Sequence, residues 1–261
     1  MNASSAHAEV LLEWSYSPRD FLESEIEISR SDYTIDIAAG SVSARLPTAV
    51  FDADENVRQR LHDDLFDRMQ GIQLLTRKPF ELSRPRLTRI APDGRRQIFV
   101  ELEGATIRLS GAPVDMTVTD ASGKVVRDTK QERIKKRREL GDLVAKYSSR
   151  DNLLKSMLTS YKASTCDANN ELVHLYEIRD SLSTAFKGET KARTTLDVSQ
   201  GNWSRLGQLC NDEPLRQGRH RGTKLGALRD ATEAELSEAR EISLQMIEAY
   251  LRFREKGGKV T

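Results

Sequence analysis

The feature that most constrains the fold of this 261-residue chain is a change in hydrophobic period. From Val10 to Leu46 apolar residues recur at every second position, as Ile26 and Ile28, then Tyr33, Ile35 and Ile37, then Val42, Ala44 and Leu46. Such alternation turns one face of each strand toward a core and the other toward water, the pattern of an antiparallel sheet covered on one side. Gly40 and Ser41 separate the last two runs and predict a turn. Between Asp54 and Thr76 the spacing changes to three and four, with Val57, Leu61, Leu65, Met69 and Ile72 in one stripe of an amphipathic helix. His62 lies just off that stripe beside Asp63 and Asp64 and reads as a surface or boundary residue, not as a ligand.

Strand signals return after Pro79. They fall at Leu87 to Ile90, Ile98 to Leu102, Thr106 to Leu109, Val114 to Val118 and Val125-Val126, with turns at Asp93-Gly94 and Ser122-Gly123. Short strands this close together build hairpins, because parallel pairing needs a long crossover between strands. From Arg127 to Arg138 the composition shifts to Arg127, Lys130, Arg133, Lys135, Lys136, Arg137 and Arg138 against Asp128 and Glu132, and helical periodicity follows. Leu140, Leu143, Val144 and Tyr147 make one stripe, and Leu154, Met157, Leu158 and Tyr161 the next. A further helix spans about Asn169 to Phe186, and the last opens on Thr232-Glu233-Ala234-Glu235, a capping-box pattern. The chain therefore reads as α+β, with a β-rich domain over 1–126 that holds an antiparallel sheet and one packed helix. A basic helical connector follows over 127–151, and a helical bundle over 152–261.

Composition excludes several function classes. With 41 Lys plus Arg against 40 Asp plus Glu, no global field draws in nucleic acid or an anionic membrane, so such binding needs a local patch. Cys166 and Cys210 form no CxxC pair, and His7, His62, His174 and His220 show no HExxH spacing, so no metal site is expected. No GxxxxGK[ST] or GxGxxG occurs and no cofactor is expected. With no membrane-length apolar run and no signal-peptide layout at Met1 to Glu9, the chain reads as a cytoplasmic protein without membrane partners.

The local patch lies between Trp203 and Arg229. It holds Arg205, Arg216, Arg219, His220, Arg221, Lys224 and Arg229, with Asp212 and Glu213 the acids, just before the last helix. Cationic side chains and helix amides directed into one volume suit a phosphate, and Pro214, Gly218 and Gly222 punctuate the loop. The same arginines can instead pair with carboxylates on neighbouring helices. His220 is the residue here that exchanges a proton near neutral pH, its pKa lowered by flanking arginines. Upstream, Arg179 sits on the row of Leu172, Leu175, Tyr176, Leu182 and Phe186, so its guanidinium needs a partner, in a structural ion pair or a polar site.

From about Asn152 to Phe253, the helix LVHLYEIRDSLSTAF, the segment WSRLGQLCND and an Arg and His ahead of the last helix resemble the HEPN superfamily of prokaryotic toxin and phage-defence domains. With the β-rich part in front, the layout is similar to ApeA-type defence proteins. The resemblance implies a metal-independent ribonuclease site, usually shared across a dimer. Arg216 would stabilise the strained phosphate while His220 acts as acid or base for attack by the RNA 2′-hydroxyl. Three residues separate the two, one fewer than in the family's pattern, and Gln217 follows Arg216 where Asn, His or Asp is common. The expected function is thus RNA binding or cleavage, with Arg216 and His220 catalytic, Arg219, Arg221, Arg179 and Asn211 binding, and the β-rich domain contacting a partner protein. The alternative is a non-catalytic interaction protein whose basic loop holds an anion or a partner.

Overall fold

The computed structural model describes residues 9–91, 96–99, 117–119, 125–219, 221–223 and 228–260, with 96–99, 117–119, 125–126 and 223 described by backbone alone. The chain is α+β, an antiparallel sheet with a long helix followed by a multi-helix region. Two compact units divide it, one of residues 1–66 and 80–138 and the other of 67–79 and 139–261.

In the first unit, strands β1 (Glu9–Ser17), β2 (Ile26–Ser29), β3 (Thr34–Ala38), β4 (Ser41–Pro47), β5 (Glu81–Leu82), β6 (Arg86–Ile90) and β7 (Arg96–Phe99) form a sheet of order β2-β3-β4-β1-β6-β7, with β5 also pairing β1. Every described pairing is antiparallel. Register follows from burial. Val10, Leu12, Trp14 and Tyr16 of β1 are buried, as are Val42, Ala44 and Leu46 of β4, and the pairs Val10–Leu46, Leu12–Ala44 and Trp14–Val42 lie opposite one another. A one-residue slip would turn this whole apolar set to solvent. The β3–β4 turn is Ala39–Gly40, one residue earlier than the sequence suggests. Both have positive φ, 49° and 88°, as a two-residue turn matched to strand twist requires, and Ser41 already belongs to β4. Helix α1 (Thr48–Ala53) follows β4 directly, and the first half of α2 (Val57–Thr76) covers the sheet with Val57, Leu61 and Leu65 buried. Strands β8 (Thr117–Thr119) and β9 (Val125–Asp128) make a separate two-stranded ribbon. The strand expected at Thr106 to Leu109 and the turns expected at Asp93-Gly94 and Ser122-Gly123 lie outside the described residues.

The second unit is helical. It contains the end of α2, the second half of α3 (Thr129–Ser148), then α4 (Asn152–Cys166), α5 (Glu171–Ala185), α6 (Glu189–Leu196), α7 (Gln200–Gly207) and α8 (Glu233–Glu255). Helix α5 is central, packed against α4, α6, α7 and α8. Its residues Leu172, Leu175, Ile178 and Leu182 are fully buried, and they share one core with Leu154, Met157, Leu158, Trp203, Leu206, Met246 and Ile247. At about 25 cal/mol per Å² of apolar surface, each such Leu or Ile contributes about 2 kcal/mol, and this is why the unit holds together without a disulfide.

Two buried carboxylates tie its ends. Glu171, at the start of α5, accepts from Arg77 at 2.6 Å and from both Nε and Nη2 of Arg240 at 2.6 and 2.9 Å. Asp151 caps α4 by accepting from the Leu154 amide at 3.0 Å, and it also accepts from the Tyr250 hydroxyl and from Arg254. Among the described residues no helix is long and apolar enough to cross a membrane.

Candidate functional site

The site forms where α5, α7 and the loop after α7 meet. Helix α7 does not stop at Gly207. It continues into a single wide turn, Gln208–Asp212, closed by a bond from the Glu213 amide to the Gln208 carbonyl at 2.9 Å, an i to i+5 spacing. Turns of this kind carry an extra residue and are frequent at functional positions. Here the consequence is concrete, because the Cys210 carbonyl is left to accept from the Arg219 amide at 2.8 Å. Gly218 makes the approach possible, since a Cβ there would stand 3.0 Å from the Cys210 oxygen. The loop is closed from the other side by a bridge between Leu215 and Arg229, with the Arg216 amide donating to the Arg229 carbonyl at 2.9 Å and the Arg229 amide to the Pro214 carbonyl at 3.0 Å.

Backbone pinned in this way delivers the Arg219 guanidinium onto Tyr176, 4.3 Å from the ring centroid. Arg179, one turn along α5, reaches the same ring from its own helix. It lies 5.1 Å from the Tyr176 centroid and donates to the Tyr176 hydroxyl at 2.8 Å. Its plane also packs 5.3 Å from the buried Trp203 ring and against Gly207, where a Cβ would stand 3.4 Å from the guanidinium carbon. Arg179 is paired with Glu189 at 3.2 Å, and the other oxygen of Glu189 lies 3.5 Å from Arg193 Nε. Two guanidinium groups, Arg179 and Arg193, therefore share one carboxylate, and Arg179 shares the Tyr176 ring with Arg219. Among the described residues no carboxylate lies against Arg219. Beneath them Cys210 is buried, and burial pushes its thiol up to about 12 although Arg179 and Arg219 pull the other way. At neutral pH this thiol is no nucleophile.

The remaining arginines of the patch are engaged differently. Arg205 donates to Glu238 at 3.0 Å, and Arg229 grips Glu235 with both terminal nitrogens at 2.8 and 2.7 Å. Glu235 also closes the capping box with Thr232 at the start of α8, and bonds from Arg229 and the Thr232 amide push its carboxyl down to about 2. Of the first-turn amides of α8, that of Glu235 is thus taken by the Thr232 hydroxyl. Arg216 is exposed and lies 3.9 Å from an equally exposed Asp230. Arg221 donates to the Gly218 carbonyl at 2.9 Å and to the Asn170 side chain. Asn170 in turn donates to Asp167 at 2.7 Å, with His174 3.3 Å from the same carboxylate, and these bonds hold Asp167 below its ordinary range. Asn211 lies in the wide turn with its Oδ1 buried and without a partner among the described residues. His220 and Lys224 lie outside the described residues.

Of the residues expected from sequence, the fold brings Arg179 and Arg219 together on Tyr176. Arg216 faces Asp230 instead, and Arg221 pins the loop to the start of α5. Sequence reasoning missed Tyr176, which its spacing assigns to the buried stripe, and Glu189, which opens a helix too short to show a period. Among the described residues no three His, Cys, Asp or Glu side chains come together as a metal site. No family model matches the chain, and no curated protein or solved structure is significantly similar to it.

Proposed function

We propose that the protein binds RNA through the Tyr176, Arg179 and Arg219 face of its helical unit, as a HEPN-like domain, and that Arg216 and His220 add metal-independent cleavage. The binding part is supported by one observation above all. Two guanidinium groups converge on a half-buried ring, and among the described residues one of them, Arg219, has no carboxylate against it. A guanidinium with its donors free is suited to a phosphate oxygen, and the surplus of positive charge around Glu189 favours an anion there.

The cleavage part rests on the resemblance and on residue chemistry. His220 would move the proton of the 2′-hydroxyl or of the leaving 5′-oxygen, while Arg216 stabilises the charge gathering on phosphorus. Self-association through the helical unit would bring two such sets together, and the β-rich unit would serve as sensor or partner-binding module in phage defence or stress. A second reading, a non-catalytic protein with a basic binding loop, is favoured by the carboxylate partners of Arg205, Arg216 and Arg229.

Titration of a labelled single-stranded RNA in EDTA tests both parts. Arg219→Ala should weaken binding about tenfold and reduce the slope of log K against log salt by about 0.7, one phosphate contact. His220→Ala should abolish cleavage and leave binding intact, whereas Arg216→Ala should weaken both. A parent protein that binds RNA without cutting it overturns the catalytic part, and a folded Arg219→Ala variant with unaltered affinity overturns the site.

A further inference from the structure

We infer that Tyr176 is a stacking platform for one base of single-stranded RNA, and that Arg219, which covers the ring, exchanges it for a backbone phosphate when the base arrives. This rests on the RNA-binding reading above and goes beyond it by naming the form of RNA and the way it is held.

The geometry of the ring comes first. Tyr176 is half-buried on α5, and the bond from Arg179 to its hydroxyl at 2.8 Å fixes the ring from its polar edge. The Arg219 guanidinium, flat and delocalised, stands 4.3 Å from the centroid, close to the place a nucleobase plane would take. Both are planar groups that stack on aromatic faces, so one can replace the other without rebuilding the ring's surroundings.

The second point is how Arg219 is held. Its amide is fixed to the Cys210 carbonyl at 2.8 Å and the preceding Gly218 amide to Leu215 at 3.0 Å, so the side chain can swing while the loop stays in place. Its guanidinium has no carboxylate to leave behind among the described residues. Tyr147 provides a contrast within the same unit. Arg254 lies 5.7 Å from that ring with its guanidinium committed to the buried carboxylate of Asp151, and the other cation over it, Lys146 at 5.1 Å, is a compact ammonium with no flat face to stand in for a base. Trp203, Tyr161 and Tyr250 are buried outright. Tyr176 thus combines a partly open ring, a displaceable cover and a cation that can follow the phosphate of the stacked nucleotide.

The test compares a labelled single-stranded RNA with inorganic polyphosphate, which has the charge and no bases. Tyr176→Leu should weaken RNA binding about tenfold and leave polyphosphate binding unchanged, because base stacking is lost and the guanidinium groups remain. Tyr176→Phe, which keeps the ring but loses the hydroxyl that Arg179 holds, should fall well short of the loss in Tyr176→Leu, and Tyr147→Leu should bind RNA as the parent does. As a measurement on the parent chain itself, RNA carrying 5-iodouracil should crosslink to Tyr176 on irradiation, with the site mapped by mass spectrometry. No crosslink at Tyr176, or equal loss of both ligands in Tyr176→Leu, overturns the platform and leaves the RNA-binding reading standing. Failure of the folded parent protein to bind RNA overturns both.

Discussion

Gly71 of α2 and Gly141 of α3 bring two helix backbones into direct contact, so close that a Cβ added to Gly71 would stand 2.8 Å from the Gly141 Cα and 2.9 Å from the Leu140 oxygen. The obstacles are backbone atoms, which cannot rotate away as a side-chain tip could. Gly71→Ala therefore has to separate the helices, and overpacking of this kind costs about 1–3 kcal/mol. Gly141→Ala meets its nearest obstacle at 3.2 Å and should cost less. Urea unfolding followed by circular dichroism ranks the two. The reverse order would mean that the helices cross differently.

Glu171 holds two arginines at once, and that makes it a weak point. The carboxylate is buried, its hydrogen bonds raise Arg240 above its ordinary value, and among the described residues the one other carboxylate on either guanidinium is the exposed Glu233 beside Arg240. Glu171→Gln should destabilise the helical unit by about 3 kcal/mol, because breaking a buried pair leaves uncompensated charge behind. A loss below about 1 kcal/mol would place this network in the class of exposed ion pairs.

How much of this was legible beforehand differs between the two units. The strands of the first unit are visible because a covered sheet writes its register into the sequence, and β1 and β4 follow the alternation residue by residue. Helix α1 and strand β5 were not visible, since six residues with nothing buried and two residues of strand carry no period. In the second unit the stripes of α4, α5 and α8 stand out, but α6 and α7 are eight residues each and blend into the loop. The wide turn at Gln208–Asp212 has no local signature, because its register is completed by Arg219 from seven residues downstream. Arg179 was legible as a charge on an apolar row, whereas Tyr176 was read as core. Its helical position is inward, and only the loop decides that a guanidinium covers it.

A proton-sensitive contact lies in the first unit. Trp14 Nε1 donates to His62 Nδ1 at 3.2 Å, so His62 must keep that nitrogen unprotonated, and burial lowers its pKa ahead of the smaller effects of Asp63 and Arg58. A histidine with a folded pKa below the unfolded value of about 6.5 takes up its proton more readily when unfolded. The stability it contributes is complete above that value and is lost as pH falls through it toward the folded pKa. The urea midpoint should thus decline between about pH 7.5 and pH 5, and His62→Gln, which keeps an acceptor for Trp14, should flatten that decline. Equal slopes in the two proteins would show that His62 does not report on folding.

At the start of α8, Glu235 works in the opposite sense. Its carboxyl is pushed down to about 2 by Arg229 and the Thr232 amide, against an ordinary value near 4.5. The stabilisation is present above the unfolded pKa and disappears as pH falls from there toward about 2. Glu235→Gln should therefore lose stability at neutral pH and match the parent in acid. Salt should narrow the difference, since Arg229 is partly exposed. A difference that persists at acid pH would assign the loss to the cap's shape and not to its charge.

Glu189 offers the sharpest separation of a binding role from a structural one. It is the carboxylate between Arg179 and Arg193, two cations on one anion, and Arg179 shares the Tyr176 ring with Arg219. Removing that charge has two separable consequences. Arg179 loses its ion pair while keeping the Tyr176 hydroxyl and the Trp203 face, so Glu189→Gln should cost about 1–2 kcal/mol, a charged hydrogen bond in a half-exposed setting. If the cluster is an anion site, the same change unmasks a guanidinium, and affinity for polyphosphate should rise severalfold with a steeper salt dependence. If the arginines only brace α5 against α6 and α7, stability falls and polyphosphate affinity stays where it was. Thermal unfolding and a polyphosphate titration on the one variant therefore distinguish the two. A weaker, less tightly folded protein with no gain in anion affinity would remove Arg179 from the site and leave Arg219 to act alone.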